Sequence, residues 1–293
     1  MSGRERFLVV GADGLIGHSL VENLLREGRE VFGTTRRTDN PSPQRLPLDL
    51  GGEIAGWQPP AQINAAFLCA AVTNQETCRG NPAAALKVNV SGTVTVAEKL
   101  IKTGASVVFL STNLVFDGAT ACVKPTDATN PKTEYGRQKR LAEEALLKSG
   151  GTVCVLRLSK VLHPQMPLLS KWASALRAAQ PIYPLTDLRC SPVPLSFAVE
   201  AVCKAGLARL SGIFHVSGAE DVSYADIARH LAKMLNVNEQ LVCPRTSMEL
   251  GLQLEHLPEH TTLDCSSLVS ALNSKLPDVH ATLDSVIADL IAL

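Results

Sequence analysis

Tyr135 and Lys139 stand four residues apart in the run Tyr135-Gly136-Arg137-Gln138-Lys139. On a helix that spacing brings both side chains to one face. A phenol titrates near ~10 unaided, and an ammonium beside it stabilises the phenolate and draws the group towards working pH. The pair therefore suits proton transfer. The same spacing also describes an exposed helical pair, so the surroundings must decide. Upstream, an apolar strand ends in Ser111-Thr112-Asn113, and the carboxyl end of a strand in an open α/β sheet faces the ligand crevice. Thr112 is placed either to hydrogen-bond a substrate carbonyl alongside Tyr135 or to cap the strand end with its hydroxyl.

A second chemical feature is the run Gly11-Ala12-Asp13-Gly14-Leu15-Ile16-Gly17, set between the first strand and the first helix. Gly11 permits a tight turn, Gly14 lets a backbone approach a pyrophosphate, and Gly17 allows close packing of helix on sheet. The phosphates then meet the positive end of the helix, with Asp13, Leu15 and Ile16 counted among the binding positions. Cofactor choice is set after the second strand, where an NAD site places an acid for the ribose hydroxyls. Here the chain reads Gly33-Thr34-Thr35-Arg36-Arg37, with no carboxylate before Asp39. A guanidinium at Arg36 or Arg37 suits a 2′-phosphate through paired hydrogen bonds. NADP(H) is favoured and NAD(H) stays open, as does a solvated arginine pair.

These residues need a parallel sheet to hold them, and the first half of the chain reads as repeated βαβ. Strands are expected at 6–10, 31–34, 63–71, 105–111 and 152–158, with helices at 15–27, 83–103 and 137–149. Residues 1–158 then form a Rossmann-type, doubly wound dinucleotide domain. Beyond Ser159 prolines break the chain into short segments, and residues 159–293 are expected to form a smaller, substrate-binding α/β portion. A stretch of about 197–218, a helix and a strand, returns to the first domain. Another helix should begin at Ser223, where Ser223 and Asp226 match a capping pattern.

The segments Ser111-Thr112-Asn113-Leu114-Val115-Phe116-Asp117-Gly118 and Thr129 to Lys139, with Asn64, Asn81-Pro82, Val88-Asn89-Val90 and Gly212 to Gly218, resemble the dTDP-4-dehydrorhamnose reductases and related sugar-nucleotide enzymes. These are extended short-chain dehydrogenases, a group whose glycine spacing is also the one found here. The likeness runs over nearly the whole chain. It implies Tyr135 as general acid, Lys139 as its electrostatic partner reaching the nicotinamide ribose, Thr112 on the carbonyl, and Asn89 as a support within the relay. It further implies Asp49 and Leu50 against the adenine, and Ala70 and Ala71 beside the cofactor's phosphate and ribose. The expected activity is NADPH-dependent reduction of a ketone, such as a 4-keto nucleotide sugar. An epimerase or dehydratase uses the same residues, and the regulatory subunit of methionine adenosyltransferase, a non-catalytic relative, shares the motif set.

Departures from that pattern concern the sugar pocket. Asn113 and Leu114 stand where the rhamnose-forming reductases carry an acid and an aromatic. Lys160 replaces a tryptophan. A cation in place of a stacking surface suits a negatively charged or reshaped ligand, or else Lys160 lies at the surface.

Bulk properties narrow the partners. Lysine plus arginine equals aspartate plus glutamate at 28 each, so no global field recruits nucleic acid or an anionic membrane. A small molecule is the expected partner, and a homodimer is admitted. No run reaches the ~20 apolar residues of a membrane span, and the opening Met1 to Arg6 lacks the apolar stretch of a signal peptide. The eight cysteines show no metal-like spacing and read as reduced core residues of a cytoplasmic protein. His256-Leu257-Pro258-Glu259-His260 matches a metalloprotease pattern, but Pro258 denies it the helix it needs. No metal site is expected.

Overall fold

In the computed structural model, residues 5–37 and 42–293 are described. The expectations attached to residues 1–4 and to Asp39 lie outside the described residues. The chain runs β1 (Arg6–Val10), α1 (Leu15–Arg26), β2 (Glu30–Thr35), β3 (Arg45–Pro47), β4 (Ala65–Leu68), α2 (Gln75–Gly80), α3 (Pro82–Leu86) and α4 (Thr93–Lys102). It continues through β5 (Ser106–Thr112), α5 (Glu134–Leu147), β6 (Val153–Leu158), β7 (Lys160–Leu162), α6 (Pro167–Arg177), β8 (Arg189–Cys190) and β9 (Pro192–Pro194). It closes with α7 (Leu195–Leu207), β10 (Gly212–Val216), β11 (Val222–Ser223), α8 (Tyr224–Met234), α9 (Ser266–Leu272) and α10 (Val279–Ala292).

Seven strands form the main sheet in the order β10-β6-β5-β4-β1-β2-β3, with β1 parallel to both β2 and β4, β2 to β3, and β4 to β5. Strands β4, β5 and β6 are buried at every residue, which is why they read as unbroken apolar runs rather than as alternating ones. This is the α/β, Rossmann-like architecture expected from the sequence. The chain leaves β1 towards β2 and leaves β4 towards β5, so the winding reverses between β1 and β4. Doubly wound sheets bind their ligands outside such a switch point.

Two local departures bear on the site. The single helix expected over 83–103 is α3, a π-helical segment Lys87–Gly92, and α4. At Gly92 a Cβ would stand 2.1 Å from the Leu50 carbonyl oxygen, so the widened turn coincides with a backbone pressed against the loop that follows β3. Single π turns of this kind recur at functional sites. Helix α5 begins at Glu134 rather than Arg137, because the Thr133 hydroxyl accepts the Gly136 N–H at 3.0 Å and so caps the helix. Tyr135 is thereby drawn into the first turn.

The chain divides into two compact units, the first comprising residues 1–116, 128–157 and 198–214, the second 117–127, 158–197 and 215–293. The first holds the sheet core around Leu8, Phe109, Leu146 and Val155. The second has its own core, where Leu169, Trp172 and Leu176 of α6 meet Ile227 and Leu231 of α8 and Ile287 and Leu290 of α10. Ser223 and Asp226 form the reciprocal cap of α8. All eight cysteines are free thiols, but Cys122 is exposed and Cys69 and Cys243 are partly so, which corrects the reading of the set as core residues. Cys122 sits in a loop at φ 53°. Among the described residues no helix is long and apolar enough to cross a membrane.

Candidate active site

The glycine turn is built by close approach. Gly11 leaves β1 at φ 88°, and a Cβ on it would lie 2.7 Å from the Ala70 nitrogen at the end of β4. At Gly17 a Cβ would stand 2.2 Å from the Gly11 carbonyl oxygen. Gly14 caps α1 with no side-chain hydrogen bond, so the first N–H groups of the helix face outward unmasked. Beside this turn lies a cleft of about 520 Å³. Gly11, Asp13, Gly14, Arg36, Arg37, Asp49, Leu50, Ala70 and Ala71 line it, all positions singled out from the sequence. Leu15, Ile16 and Gly17 do not, because they form the first turn of α1 behind it. The sequence reading missed Val10, Thr34, Thr35, Leu48, Cys69, Val72 and Val88, which also line the cleft. Sequence adjacency was the available signal: most sit at the ends of β1, β2 and β4, Leu48 precedes Asp49, and Val88 precedes Asn89.

Charge in the cleft is uneven. The Asp13 carboxylate accepts the Thr35 hydroxyl and pairs with Arg45 at 2.8 Å, and Asp49 accepts the Gly51 N–H at 3.0 Å. Both acids are engaged in holding loops. Arg36 and Arg37 are exposed, and among the described residues neither guanidinium forms an ion pair. Among the described residues the cleft thus presents two unpaired cations beyond β2.

Tyr135, Lys139, Thr112 and Asn89 do not line the cleft, yet Tyr135, Asn89 and Lys139 lie behind its wall at Val72 and Cys69. Tyr135 packs with Cys78, Ala85, Val72 and Leu114. Burial pushes its phenol above the ordinary value, and Cys78 adds to the effect. Lys139 is 2% exposed, with Nζ 3.8 Å from the centroid of the Phe109 ring. Burial pushes its ammonium down to about 7, against the opposing charges of Glu143 and Cys69. The expectation that Lys139 draws the phenol downward is therefore corrected for this structure. The two side chains share a helix, but desolvation dominates each of them, and Lys139 sits over an aromatic face.

Thr112 ends β5. Its hydroxyl accepts the Leu114 N–H at 3.2 Å and lies 3.4 Å from Asn113 Oδ1, so it caps the short 3-10 turn Asn113–Val115. That turn abuts α5, since a Cβ on Gly136 would meet the Leu114 carbonyl oxygen at 2.1 Å. Asn89, in the π-helical segment, clamps Val72 from both sides, with Oδ1 accepting its N–H at 2.8 Å and Nδ2 donating to its carbonyl at 3.0 Å. The same Nδ2 donates to Gln138 Oε1 at 2.9 Å. Gln138 lies between Tyr135 and Lys139 on α5, so this chain of bonds joins the catalytic helix to the cleft wall. Glu143, farther along α5, pairs with Arg157 of β6 at 2.7 Å and accepts the Ser111 hydroxyl of β5. The helix is pinned to two strands.

Comparison with known proteins follows the same outline. The family described as RmlD substrate binding domain matches residues 5–292. The spore coat polysaccharide biosynthesis protein SpsK of Bacillus subtilis (strain 168) is 29% identical over 225 residues, covering 76% of this chain and 77% of its own. Methionine adenosyltransferase 2 subunit beta of Bos taurus is 25% identical over 279 residues, 90% of this chain and 81% of that one. Among solved structures, dTDP-4-dehydrorhamnose reductase from Bacillus anthracis str. Ames in complex with NADP superposes at a TM-score of 0.83, with 20% identity, over 98% of this chain and 99% of its own. MoeE5 in complex with UDP-glucuronic acid and NAD gives 0.82 at 22% identity, over 98% and 100%.

Proposed function

The chain belongs to the RmlD substrate binding domain family, within the extended short-chain dehydrogenases, and from that membership we propose that it is an NADPH-dependent reductase of a ketone on a nucleotide-linked sugar. One observation carries the reading: Cys69 to Val72 line the cleft, while Val72 also packs on Tyr135 and is hydrogen-bonded by Asn89, and Cys69 lies within electrostatic reach of Lys139.

The residues fit a dinucleotide. The side-chain-free approach of Gly11 to Ala70, with the uncapped N-terminus of α1, fits a pyrophosphate. The free guanidinium groups of Arg36 and Arg37 fit a 2′-phosphate. On this reading Gly11, Gly14 and the first turn at Leu15, Ile16 and Gly17 hold the diphosphate. Asp49 and Leu50 lie by the adenine, and Ala70 and Ala71 by the phosphate and ribose. When bound, the nicotinamide supplies hydride to the carbonyl carbon.

The chain's own groups handle the oxygen. Tyr135 keeps its proton at neutral pH because burial raises its pKa, so it donates to the developing alkoxide. The Thr112 oxygen accepts from Leu114, and its own O–H, which lies a long 3.4 Å from Asn113 Oδ1, turns to the carbonyl. Lys139 in its ammonium form adds positive charge beside the reacting oxygen and holds ribose hydroxyls. Asn89 keeps Val72, and so the cleft wall, in register. The first unit binds the cofactor and the second the sugar. A cytoplasmic setting agrees with the free cysteines.

The test is NADPH oxidation against a panel of 4-keto nucleotide sugars. Tyr135→Phe is expected to lower kcat by about 10²- to 10⁴-fold with NADPH affinity unchanged. Full activity in that variant, or failure of the wild-type protein to bind NADPH, overturns the reading. Turnover without net NADPH consumption points to an epimerase. A second reading rests on the 90% coverage by methionine adenosyltransferase 2 subunit beta: a regulatory subunit, supported by co-purification with a larger catalytic partner and no turnover on any nucleotide sugar.

A further inference from the structure

Asp13 belongs to the glycine turn and lines the cofactor cleft together with Arg36 and Arg37. Its carboxylate accepts the hydroxyl of Thr35, the last residue of β2. That is the end of the strand where an NAD site carries its acid, so the turn delivers a carboxylate to the same place from another part of the chain. Left open there, a carboxylate accepts ribose hydroxyls and repels a 2′-phosphate. Arg36 and Arg37 suit the opposite ligand. The conflict is resolved by the occupation of both carboxylate oxygens: Oδ2 takes the Thr35 hydroxyl, and Oδ1 takes Nη2 of Arg45 at 2.8 Å.

Arg45 reaches Asp13 because the turn lies close on β2 and β3. Arg45 stands opposite Gly33 in the register of these strands, and a Cβ on Gly33 would stand 2.7 Å from the Ala12 Cβ. The Ala12 N–H donates to the Thr34 carbonyl at 3.1 Å, and the Gly11 N–H to the Thr34 hydroxyl at 3.0 Å. Thr35 Oγ1 in turn accepts the Arg37 N–H at 2.9 Å. One hydroxyl therefore joins the carboxylate to the arginine segment. Arg45 does not line the cleft, so it bears on a ligand there through Asp13. With side chains 39% and 28% exposed, such a pair adds little to stability. Its consequence is electrostatic.

We propose that Arg45 is a cofactor-selecting residue, which by pairing with Asp13 cancels a charge that would otherwise exclude the 2′-phosphate of NADPH. It acts as a positioning residue, and the phosphate itself is left to Arg36 and Arg37. The proposal rests on the NADPH reading given above and adds to it the group that makes the turn compatible with that cofactor.

The experiment is fluorescence titration of NADPH and NADH into the wild-type protein, Arg45→Met, Arg45→Lys and the double variant Arg45→Met with Asp13→Asn. Arg45→Met should weaken NADPH about fivefold or more, the scale of one uncompensated charge acting on a phosphate near a protein surface. NADH should stay within about twofold of wild type or bind tighter, because the freed oxygen accepts ribose hydroxyls. Arg45→Lys keeps the charge and should keep most of the NADPH affinity. Adding Asp13→Asn to Arg45→Met should restore NADPH to within about twofold, since the amide oxygen still accepts the Thr35 hydroxyl and no charge remains. The urea midpoint should hardly move in any variant. Arg45→Gln serves if the methionine variant fails to fold, with NADH affinity as the check. No recovery in the double variant gives Arg45 a direct hold on the phosphate and overturns the proposal, as does equal weakening of both cofactors. Either result leaves the NADPH reading standing. A wild-type protein that prefers NADH overturns that reading instead, and the ratio of the two affinities in Arg45→Met still decides whether Asp13 is neutralised.

Discussion

Arg157 and Lys160 stand three residues apart around the end of β6, and their charges meet different surroundings. Arg157, 3% exposed, donates from two guanidinium nitrogens to Glu143 and lies 4.9 Å from the centroid of the Phe116 ring. Lys160 is only partly exposed, yet among the described residues its side chain forms no ion pair with a carboxylate. A buried cation whose partner is built into the chain ties elements together, here α5 to β6. A partly exposed cation without one keeps contact with water and ties no element to another. Removing either side chain therefore has opposite consequences for stability.

The largest expected effect tests that contrast directly. Arg157→Met strands the Glu143 carboxylate and should cost about 3–5 kcal/mol, read as a lower urea midpoint at unchanged slope. For Lys160 the sign runs the other way. Its folded pKa lies below its unfolded one, so between the two values the unfolded state binds the extra proton and the charge weakens the fold. Lys160→Met should leave the urea midpoint at neutral pH equal or slightly higher. A loss matching that of Arg157→Met would make Lys160 a structural charge and dissolve the comparison.

Arg36 and Arg37 represent a third treatment of positive charge, exposed at the cleft rim and, among the described residues, without an ion-pair partner. Replacing both by alanine should weaken NADPH by about tenfold to a hundredfold, the worth of charge-assisted hydrogen bonds, and leave NADH unchanged. Fluorescence titration of the two nucleotides reads this out. Equal losses for both would remove these arginines from cofactor selection.

The smallest expected effect concerns Lys139, a buried cation that sits over Phe109 with Glu143 near enough to act on it. With its pKa pushed down to about 7, the ammonium is lost as pH rises through that value. The kcat/KM for reduction, which reports the free enzyme, should fall about tenfold between pH 6 and 8. Lys139→Arg keeps its charge over that range and should flatten the alkaline limb. A steep limb in the arginine variant would assign the titration to another group.

Much of the site is legible in the order of residues, and the reasons are local. Gly11 and Gly17 report a positive φ and a close backbone approach, conditions that only glycine meets. Tyr135 and Lys139 reveal a shared helix face through spacing alone. The π-helical segment at Lys87–Gly92 escaped detection because apolar periodicity over a long helix does not register one widened turn. The clamp of Asn89 on Val72 spans 17 residues, and its link to Gln138 spans 49. Neither separation leaves a pattern in sequence. The elements α6 and α10, which fill the core of the second unit, likewise went unread, since no chemical motif marks them.

Local sequence is enough to specify the alternation of strand and helix, the glycine turn, the arginine pair after β2 and the register of tyrosine and lysine on α5. Each depends on residues within one or two turns of each other. Tertiary structure alone decided the electrical state of the site. A side chain's charge depends on how much water it loses and which distant groups approach it. Packing by Cys78 and Ala85 sets the protonation of Tyr135, Phe109 receives Lys139, and Glu143 is spent on Arg157. The same physics leaves Lys160 partly exposed with its pKa held down by burial, a condition no reading of its neighbours in sequence reveals.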